Sequence, residues 1–161
     1  MSMNTMAMLA SVVTRASEGA WLDLGDHRGR TVVASAQSNG TVLMAEVEVD
    51  FLGGVPPHIH SREDEIFHVL SGEFEITIGD TTVCATSGDT VFAPRDVIHT
   101  WRCVSEEGGR MIGFITPGAN FEAFITQVSA QKIAPADPAG LEKMLALSAQ
   151  HGITMLPTPQ H

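Results

Sequence analysis

The chain has few basic residues and no tyrosine. Its 161 residues include 9 Lys and Arg against 19 Asp and Glu, which gives a formal net charge of −10. Such a chain repels phosphate backbones and has few cations with which to neutralise them. We therefore expect no nucleic-acid partner.

Long hydrophobic runs and a cysteine framework are also missing. The apolar run MAMLASVV near the start is far below the ~20 residues that a membrane span needs, and no basic segment precedes it. Cys84 and Cys103 are interpreted as reduced thiols, although a single bridge between them stays open. We expect a soluble cytoplasmic protein with no membrane partner, long enough for one domain.

Between Gly19 and about Thr116, the pattern is that of β-strands. Short segments rich in Val, Ile, Thr and Phe alternate with Gly, Asp, Asn and Pro turns, and no helical periodicity persists. In EFEITIGD, for example, Phe74, Ile76 and Ile78 share one face of a strand. Many short antiparallel strands predict an all-β sandwich or barrel.

Helical spacing begins only after this region. FEAFITQVSA predicts a helix that starts near Asn120. In DPAGLEKMLALSAQHG, Asp137 can cap a second helix, Pro138 suits its first position and Gly152 can end it. The stripe expected to face the barrel consists of Leu141, Met144, Leu145 and Ser148. We predict an N-terminal extension (1–18), a β-barrel (19–117) and a C-terminal helical segment packed on the barrel (118–161).

The stretch GGVPPHIHSREDEIF carries the first candidate site. On a strand, residues i and i+2 point to the same face about 6.6 Å apart, so His58 and His60 can direct both imidazoles to one point. The alternative is a pair of exposed histidines before an acidic turn. His-x-His alone does not decide between them.

A carboxylate near the two histidines would favour a metal site. Glu63, Asp64 and Glu65 all follow closely, and spacing alone does not choose among them. If Glu65 opens the next strand with its side chain inward, it meets the two histidines, and Glu63 and Asp64 are solvated loop charges. His68 then has the opposite parity and is a packing or surface residue.

His99 can complete this set. It follows a turn at Pro94 and Asp96 in GDTVFAPRDVIHTW. Alone it means little, but three imidazoles and one carboxylate suit a borderline divalent metal such as Fe, Cu, Ni, Mn, Co or Zn.

With these residues the chain resembles the cupin superfamily. The first cupin motif, G(X)5HXH(X)4E(X)6G, is met by His58, His60, Glu65 and Gly72, whereas Leu52 stands in the leading glycine position. The second motif, G(X)5PXG(X)2H(X)3N, is met by Gly88, Pro94 and His99. Asp96 replaces its second glycine and Cys103 its asparagine.

The resemblance implies a fold and a ligand set. The fold is a double-stranded β-helix, or jelly-roll barrel, here with short C-terminal α-helices. The implied ligands of one divalent metal per chain are His58, His60, Glu65 and His99. Residues 19–153 also look like small single-domain bacterial cupins grouped with quercetin 2,3-dioxygenases. That likeness is specific for fold and ligands and much weaker for the substrate.

The same resemblance implies a function, which we treat as a hypothesis. The chain would be a dioxygenase-type oxidoreductase acting on a small aromatic or enolic, flavonol-like compound, with Glu65 as the catalytic base. The alternatives are a non-oxidative metal cupin, such as an isomerase or decarboxylase, and a non-catalytic small-molecule-binding cupin. The missing tyrosine disfavours the epimerase branch, in which a Tyr acid is usual. The resemblance also implies a homodimer.

Strand parity predicts the walls of a substrate pocket. The side chains expected to point the same way as the ligands form an apolar, partly aromatic surface suited to a flat organic ligand. Each of them can instead be ordinary barrel core. They are Phe67, Phe74, Ile76, Trp101 and Cys103.

Overall fold

The structure is a computed structural model that describes residues 10–133 and 138–156. In these two ranges the strands are β1 (Trp21–Asp23), β2 (His27–Val33), β3 (Leu43–Val49), β4 (Gly54–His60), β5 (Asp64–Ser71), β6 (Phe74–Ile78), β7 (Thr81–Ala85), β8 (Thr90–Ala93), β9 (His99–Cys103), β10 (Gly109–Thr116) and β11 (Ile153–Met155). The helices are a 3-10 helix (Ser35–Ser38), α1 (Ala119–Ala130) and α2 (Pro138–Gln150).

The strands form two antiparallel sheets. The six-stranded sheet has the order β1-β2-β3-β10-β5-β8, and the five-stranded sheet has the order β11-β4-β9-β6-β7. From β3 to β10 the chain repeatedly crosses between the sheets, so that strands adjacent in sequence, such as β4 and β5, lie in different sheets. This is the predicted all-β, double-stranded β-helix architecture, with short C-terminal helices.

Alternating burial shows which strand faces form the barrel interior. Along β10, buried residues alternate with more exposed ones, and β5 alternates in the same way from Asp64 to Val69. Phe74 and Ile76 of β6 are fully buried, as the alternation of EFEITIGD predicts. One apolar cluster with members from both sheets fills the interior.

Two turn residues have a left-handed backbone in place of the motif glycines. Leu52 has φ 63° and Asp96 has φ 62°. At the matching motif glycines, Gly72 and Gly88, φ is also positive, at 79° and 94°. The glycines of the cupin motifs therefore stand where a side chain is strained, and this chain tolerates a leucine and an aspartate at two such turns.

The C-terminal segment contains α1, α2 and β11, and α1 contacts β1 and β3. α1 begins at Ala119, next to the predicted start, and α2 begins at Pro138 as predicted. The proposed cap Asp137 lies outside the described residues. Gly152, with φ 75°, follows the end of α2. β11, which the sequence analysis misses, then pairs with β4.

The predicted inward stripe of α2 is wrong at two positions. Leu141 and Leu145 are exposed, whereas Leu147 and Ser148 are buried and Met144 packs beside Leu147. This face of α2 is buried because the helix packs against α1 and β11. Among the described residues, no helix is long and apolar enough to cross a membrane.

Candidate metal centre

Strand β4 presents two histidines to the barrel interior. His58 and His60 are buried, with 7% and 1% of their surface exposed. The register between β4 and β9 shifts between Val55 and His58, where two prolines stand. Because proline cannot donate to a sheet ladder, it is found at such irregularities. The imidazole rings are 4.9 Å apart at their centroids.

Glu65 approaches these histidines from the opposing sheet. It is the second residue of β5, is 4% exposed and pairs in register with Ile115 of β10 and Ala93 of β8. Its Oε1 lies 3.9 Å from Nε2 of His60. The sequence allows Glu65 to open the next strand with its side chain inward, where it would meet the two histidines. The structure shows that this next strand reaches the histidines across the barrel.

His99 completes the cluster from β9. It stands directly opposite His58 in the β4–β9 register, and the centroids of these two rings are 4.3 Å apart. The ring of His99 is stacked on that of His60 at 5.4 Å. One ligand atom from each of His58, His60, Glu65 and His99 lies within 4.8 Å of the others, and all four residues are buried.

The second nitrogen of each imidazole has a hydrogen-bond acceptor. Nδ1 of His58 donates to the Pro56 carbonyl at 2.9 Å, and Nδ1 of His99 donates to the Val97 carbonyl at 3.0 Å. Nδ1 of His60 donates to the Glu63 carboxylate at 3.2 Å. Such bonds place a proton on Nδ1, so that Nε2 is the ring nitrogen that can act as a metal ligand.

One buried atom shows that this set fits a metal ion. Nε2 of His60 is buried and has no hydrogen-bond partner. A buried polar atom without a partner is costly and calls for an explanation. A divalent metal bound by the three imidazoles and the carboxylate would be the missing partner of Nε2 of His60. This ligand set suits Fe, Mn, Ni, Co, Cu or Zn.

The electrostatics keep His58 and Glu65 in the forms that a metal requires. Burial, with the charge of His99 next, lowers the pKa of His58 to about 4. Burial by itself would raise the pKa of Glu65, but the hydrogen bond from His99 and the neighbouring imidazoles hold it below its ordinary value. At neutral pH His58 is therefore neutral and Glu65 is a carboxylate.

The pKa of His99 is shifted in the opposite direction from that of His58. Burial lowers its pKa, but the hydrogen bond and the charge of Glu65 outweigh this and raise the pKa above its ordinary value. Nε2 of His99 lies 3.0 Å from Oε2 of Glu65. Without metal the two groups share a proton, which a bound cation would displace.

Glu63 is the main correction to the sequence analysis. The sequence predicts a solvated loop charge at this position, but Glu63 is 1% exposed and its carboxylate contacts both His60 and Asn120 of α1. The spacing of three residues from His60, within a turn, was the available signal. Its burial depends on α1, which sequence alone did not place over this turn.

The other polar neighbours match their predicted roles more closely. Asp64 is partly exposed and bonds the Arg95 side chain and backbone in the turn before β9. That partner holds the pKa of Asp64 down to about 2. His68 is absent from the barrel cluster, as predicted, and its Nδ1 lies 2.9 Å from the Thr90 hydroxyl.

The predicted substrate-pocket residues all lie in the barrel core. Phe67, Phe74, Ile76, Trp101 and Cys103 belong to one packed apolar cluster. Phe67 is the member that reaches the metal centre, with its ring 6.3 Å from that of His99. Phe121 of α1, which parity did not suggest, lies 5.4 Å from the His60 ring. Contact of any of them with a substrate stays a prediction.

A large cavity lies at the other end of the barrel. Its volume is about 700 Å³, and its walls include Trp21, His27, Arg28 and Ser71. Ser71 ends β5 while Glu65 stands near its start, a separation of ~20 Å along the strand. This cavity is therefore not part of the metal centre.

Comparison with known proteins agrees with this architecture. The sequence model of the family described as "Cupin domain" matches residues 46–115. Over 112 residues the chain is 27% identical to quercetin 2,3-dioxygenase of Bacillus subtilis, an alignment that covers 70% of this chain and 33% of the relative. The chain thus spans about a third of that protein's length.

Solved structures show the same fold. KdgF from a Halomonas species superposes with a TM-score of 0.64 at 21% identity, covering 70% of this chain and 99% of the other. A predicted oxalate decarboxylase from Thermotoga maritima gives a TM-score of 0.60 at 19% identity, covering 65% and 98%. At such identities the likeness concerns the fold alone. The family match over residues 46–115 and the two-sheet barrel together support a small protein of the cupin superfamily.

Proposed function

We propose that the chain is a metal-dependent oxidoreductase of the dioxygenase type. Its substrate would be a small aromatic or enolic, flavonol-like compound. The observation that carries the proposal is the buried convergence of His58, His60, Glu65 and His99, with every Nδ1 bonded to an acceptor. Three neutral imidazoles and one carboxylate make an open catalytic set rather than a closed structural one.

When bound, a divalent metal supplies Lewis acidity that draws in and polarises a substrate oxygen. The three histidines hold it through Nε2. Glu65 supplies the negative charge, so the site keeps a net charge of about +1, which favours an anionic oxygen such as an enolate.

Glu65 is also the proposed base. Its lowered pKa keeps the carboxylate unprotonated at neutral pH. A carboxylate in that form can accept the proton of a substrate hydroxyl at Oε2, the atom that lies 3.0 Å from His99. Because Nε2 of His99 would be engaged by the metal, Oε2 of Glu65 would hold this proton itself.

The surroundings suit a flat apolar molecule. Phe67 lies beside His99 and Phe121 beside His60, so that aromatic surface flanks the ligands on two sides. Apolar walls exclude water and protect reactive species from hydrolysis. The name of the Bacillus subtilis relative supports this substrate class, for the third of that protein that the alignment covers.

Oxygen uptake tests the proposal. Protein loaded separately with Fe, Mn, Co, Ni and Cu is screened with flavonols, catechols and enediols. We expect uptake that depends on both metal and substrate and that is lost in Glu65→Gln but kept in His68→Ala. No uptake with any metal on this panel would contradict the oxidative function.

The non-oxidative alternative rests on the same Glu65. A carboxylate base beside a Lewis acid is sufficient for isomerisation or decarboxylation, and these reactions need no O2. NMR of the same panel without O2 would detect them. Product formed without O2, with no O2 uptake in air, would replace the dioxygenase by this alternative.

A further inference from the structure

Glu63 is a buried carboxylate with no role in the proposed chemistry. It is 1% exposed, less than Glu65 at 4% or Glu46 at 5%. Burying a charge is costly unless it is paired and hydrogen-bonded. Glu63 meets this condition with two donors, Nδ1 of His60 at 3.2 Å and Nδ2 of Asn120 at 2.5 Å.

Asn120 has a determined orientation. Its Nδ2 also donates to the His151 carbonyl at 2.8 Å, and its Oδ1 accepts from Nδ1 of His151 at 3.0 Å and from Arg62 at 3.0 Å. With the amide flipped, Oδ1 would face the oxygens of Glu63 and of the His151 carbonyl, and Nδ2 would face the Arg62 guanidinium. Asn120 therefore presents a donor to Glu63, and Glu63 must be an acceptor.

The same C-terminal residues are joined to the ligand strand itself. Ile153 and Met155 of β11 pair with His60 and His58 of β4. The Gly152 carbonyl accepts from the Ser61 amide at 2.9 Å. These contacts lie beyond residue 115, where the match to the cupin domain ends.

We propose that Glu63 is a positioning residue of the metal centre, held by Asn120, and that the C-terminal segment thereby supports metal binding. Glu63 keeps the proton of His60 on Nδ1 and aims Nε2 into the ligand cluster. Loss of such an outer partner weakens metal binding by ~10–100-fold. The inference rests on the metal binding of the proposed function and not on its oxidative step.

Glu63→Gln is the main test. Glutamine has nearly the same volume, but its amide must turn an N–H₂ toward either His60 or Asn120, and both are donors. The dissociation constant for Co²⁺ is measured by competition with a chromophoric chelator, together with the melting temperature of the metal-free protein. We expect binding ~10–100-fold weaker and an altered Co²⁺ absorption spectrum.

Asp64→Asn is the matched control. Asp64 is the next carboxylate along the chain, but it is paired with Arg95 and points away from the ligands. We expect it to leave the affinity unchanged. Asn120→Ala, which keeps Glu63 but removes its support, should weaken binding less than Glu63→Gln and serves as the second variant if Glu63→Gln does not fold.

A double substitution shows whether Glu63 acts through His60. In a His60→Ala background, titrated to Co²⁺ concentrations high enough to saturate the weakened site, Glu63→Gln should no longer change the Co²⁺ affinity, because the ring that it orients is gone. An equal fold-change in both backgrounds would overturn the inference. So would a Glu63→Gln protein that melts earlier but binds Co²⁺ as tightly as the unmodified chain. If the unmodified chain binds no divalent metal, both the proposed function and this inference fail. If it binds Co²⁺ and Glu63→Gln binds it equally tightly, only this inference fails.

Discussion

His99 and Glu65 face each other across the barrel from different sheets, with Nε2 of one 3.0 Å from Oε2 of the other. This pair raises the pKa of His99 and lowers that of Glu65. The two side chains share a proton where a metal would be bound. Metal binding must therefore compete with that proton.

The pH dependence of metal affinity follows from this competition. A raised pKa means that His99 keeps its proton at a pH where a free histidine, with a pKa near ~6.5, has begun to lose it. His58, with a pKa of about 4, contributes no such competition until the solution is far more acidic. We expect affinity to fall by up to about tenfold per pH unit from neutral to mildly acidic pH, because one proton competes with the metal. Chelator competition across this range measures it, and a constant affinity would contradict the assignment.

Removal of any ligand should release the metal. We expect His58→Ala, His60→Ala, His99→Ala and Glu65→Gln each to weaken binding by more than the ~10–100-fold typical of an outer partner. Elemental analysis of dialysed protein gives the metal content per chain. His68→Ala is the control because His68 lies outside the cluster and bonds Thr90. Full metal content in His99→Ala would show that the ligand set is wrong.

Replacing Leu52 by glycine, the residue that the cupin motif has at this position, should stabilise the protein. A left-handed backbone costs a side-chain-bearing residue ~1–2 kcal/mol, part of which the flexibility of unfolded glycine offsets. The side chain is 55% exposed, so little burial is lost. We expect Leu52→Gly to raise the free energy of unfolding by ~0.5–1 kcal/mol in urea titrations.

Leu52→Ala separates backbone strain from lost side-chain contacts. Alanine keeps the Cβ at φ 63° and should show no gain. A gain in both variants would attribute the effect to the leucine side chain. Asp96→Gly should gain less, because aspartate tolerates the left-handed region better than leucine does.

Glu46 should be a strong determinant of stability. It is buried between Arg30, which is also buried, and Arg110, and both guanidinium groups bond its carboxylate. Removing one partner of a buried pair costs ~3–5 kcal/mol. We expect Glu46→Gln to destabilise the metal-free protein by about 3 kcal/mol in urea.

Glu48→Gln is the control for Glu46. Its partner Arg28 is largely exposed, and exposed pairs contribute ~0–1 kcal/mol. Burial raises the pKa of Glu46 but its two arginines lower it further, so the net pKa is lowered. The stabilisation is therefore present at neutral pH and is lost as the pH falls through this lowered pKa. Equal effects of the two substitutions would contradict the role of burial.

The homodimer stays a prediction. In the part of the chain that the structure describes, β7 and β8 each end a sheet, and Val83 on β7 and Phe92 on β8 are exposed apolar residues. Edge strands offer unpaired backbone groups to another chain. We expect sedimentation equilibrium to give twice the chain mass of 17.2 kDa. A monomer at all concentrations would show that the prediction is wrong.

The sequence by itself was sufficient for the fold and for the four residues that make up the candidate metal centre. Local patterns carry this information, because strand alternation sets which residues face inward and the motif spacing places His58, His60, Glu65 and His99 at inward positions. The positions at which α1 and α2 begin, near Asn120 and at Pro138, were predicted from equally local signals. All of these depend on neighbours along the chain.

Tertiary structure alone decided what surrounds the ligands. Glu63 is buried because α1 brings Asn120 over its turn. Leu141 is exposed because α2 packs against α1 and β11 through a different face from the one that periodicity suggested. Charge and periodicity describe a residue on its own segment. Its burial depends on which distant segment covers it, and that is decided by the packing of the whole chain.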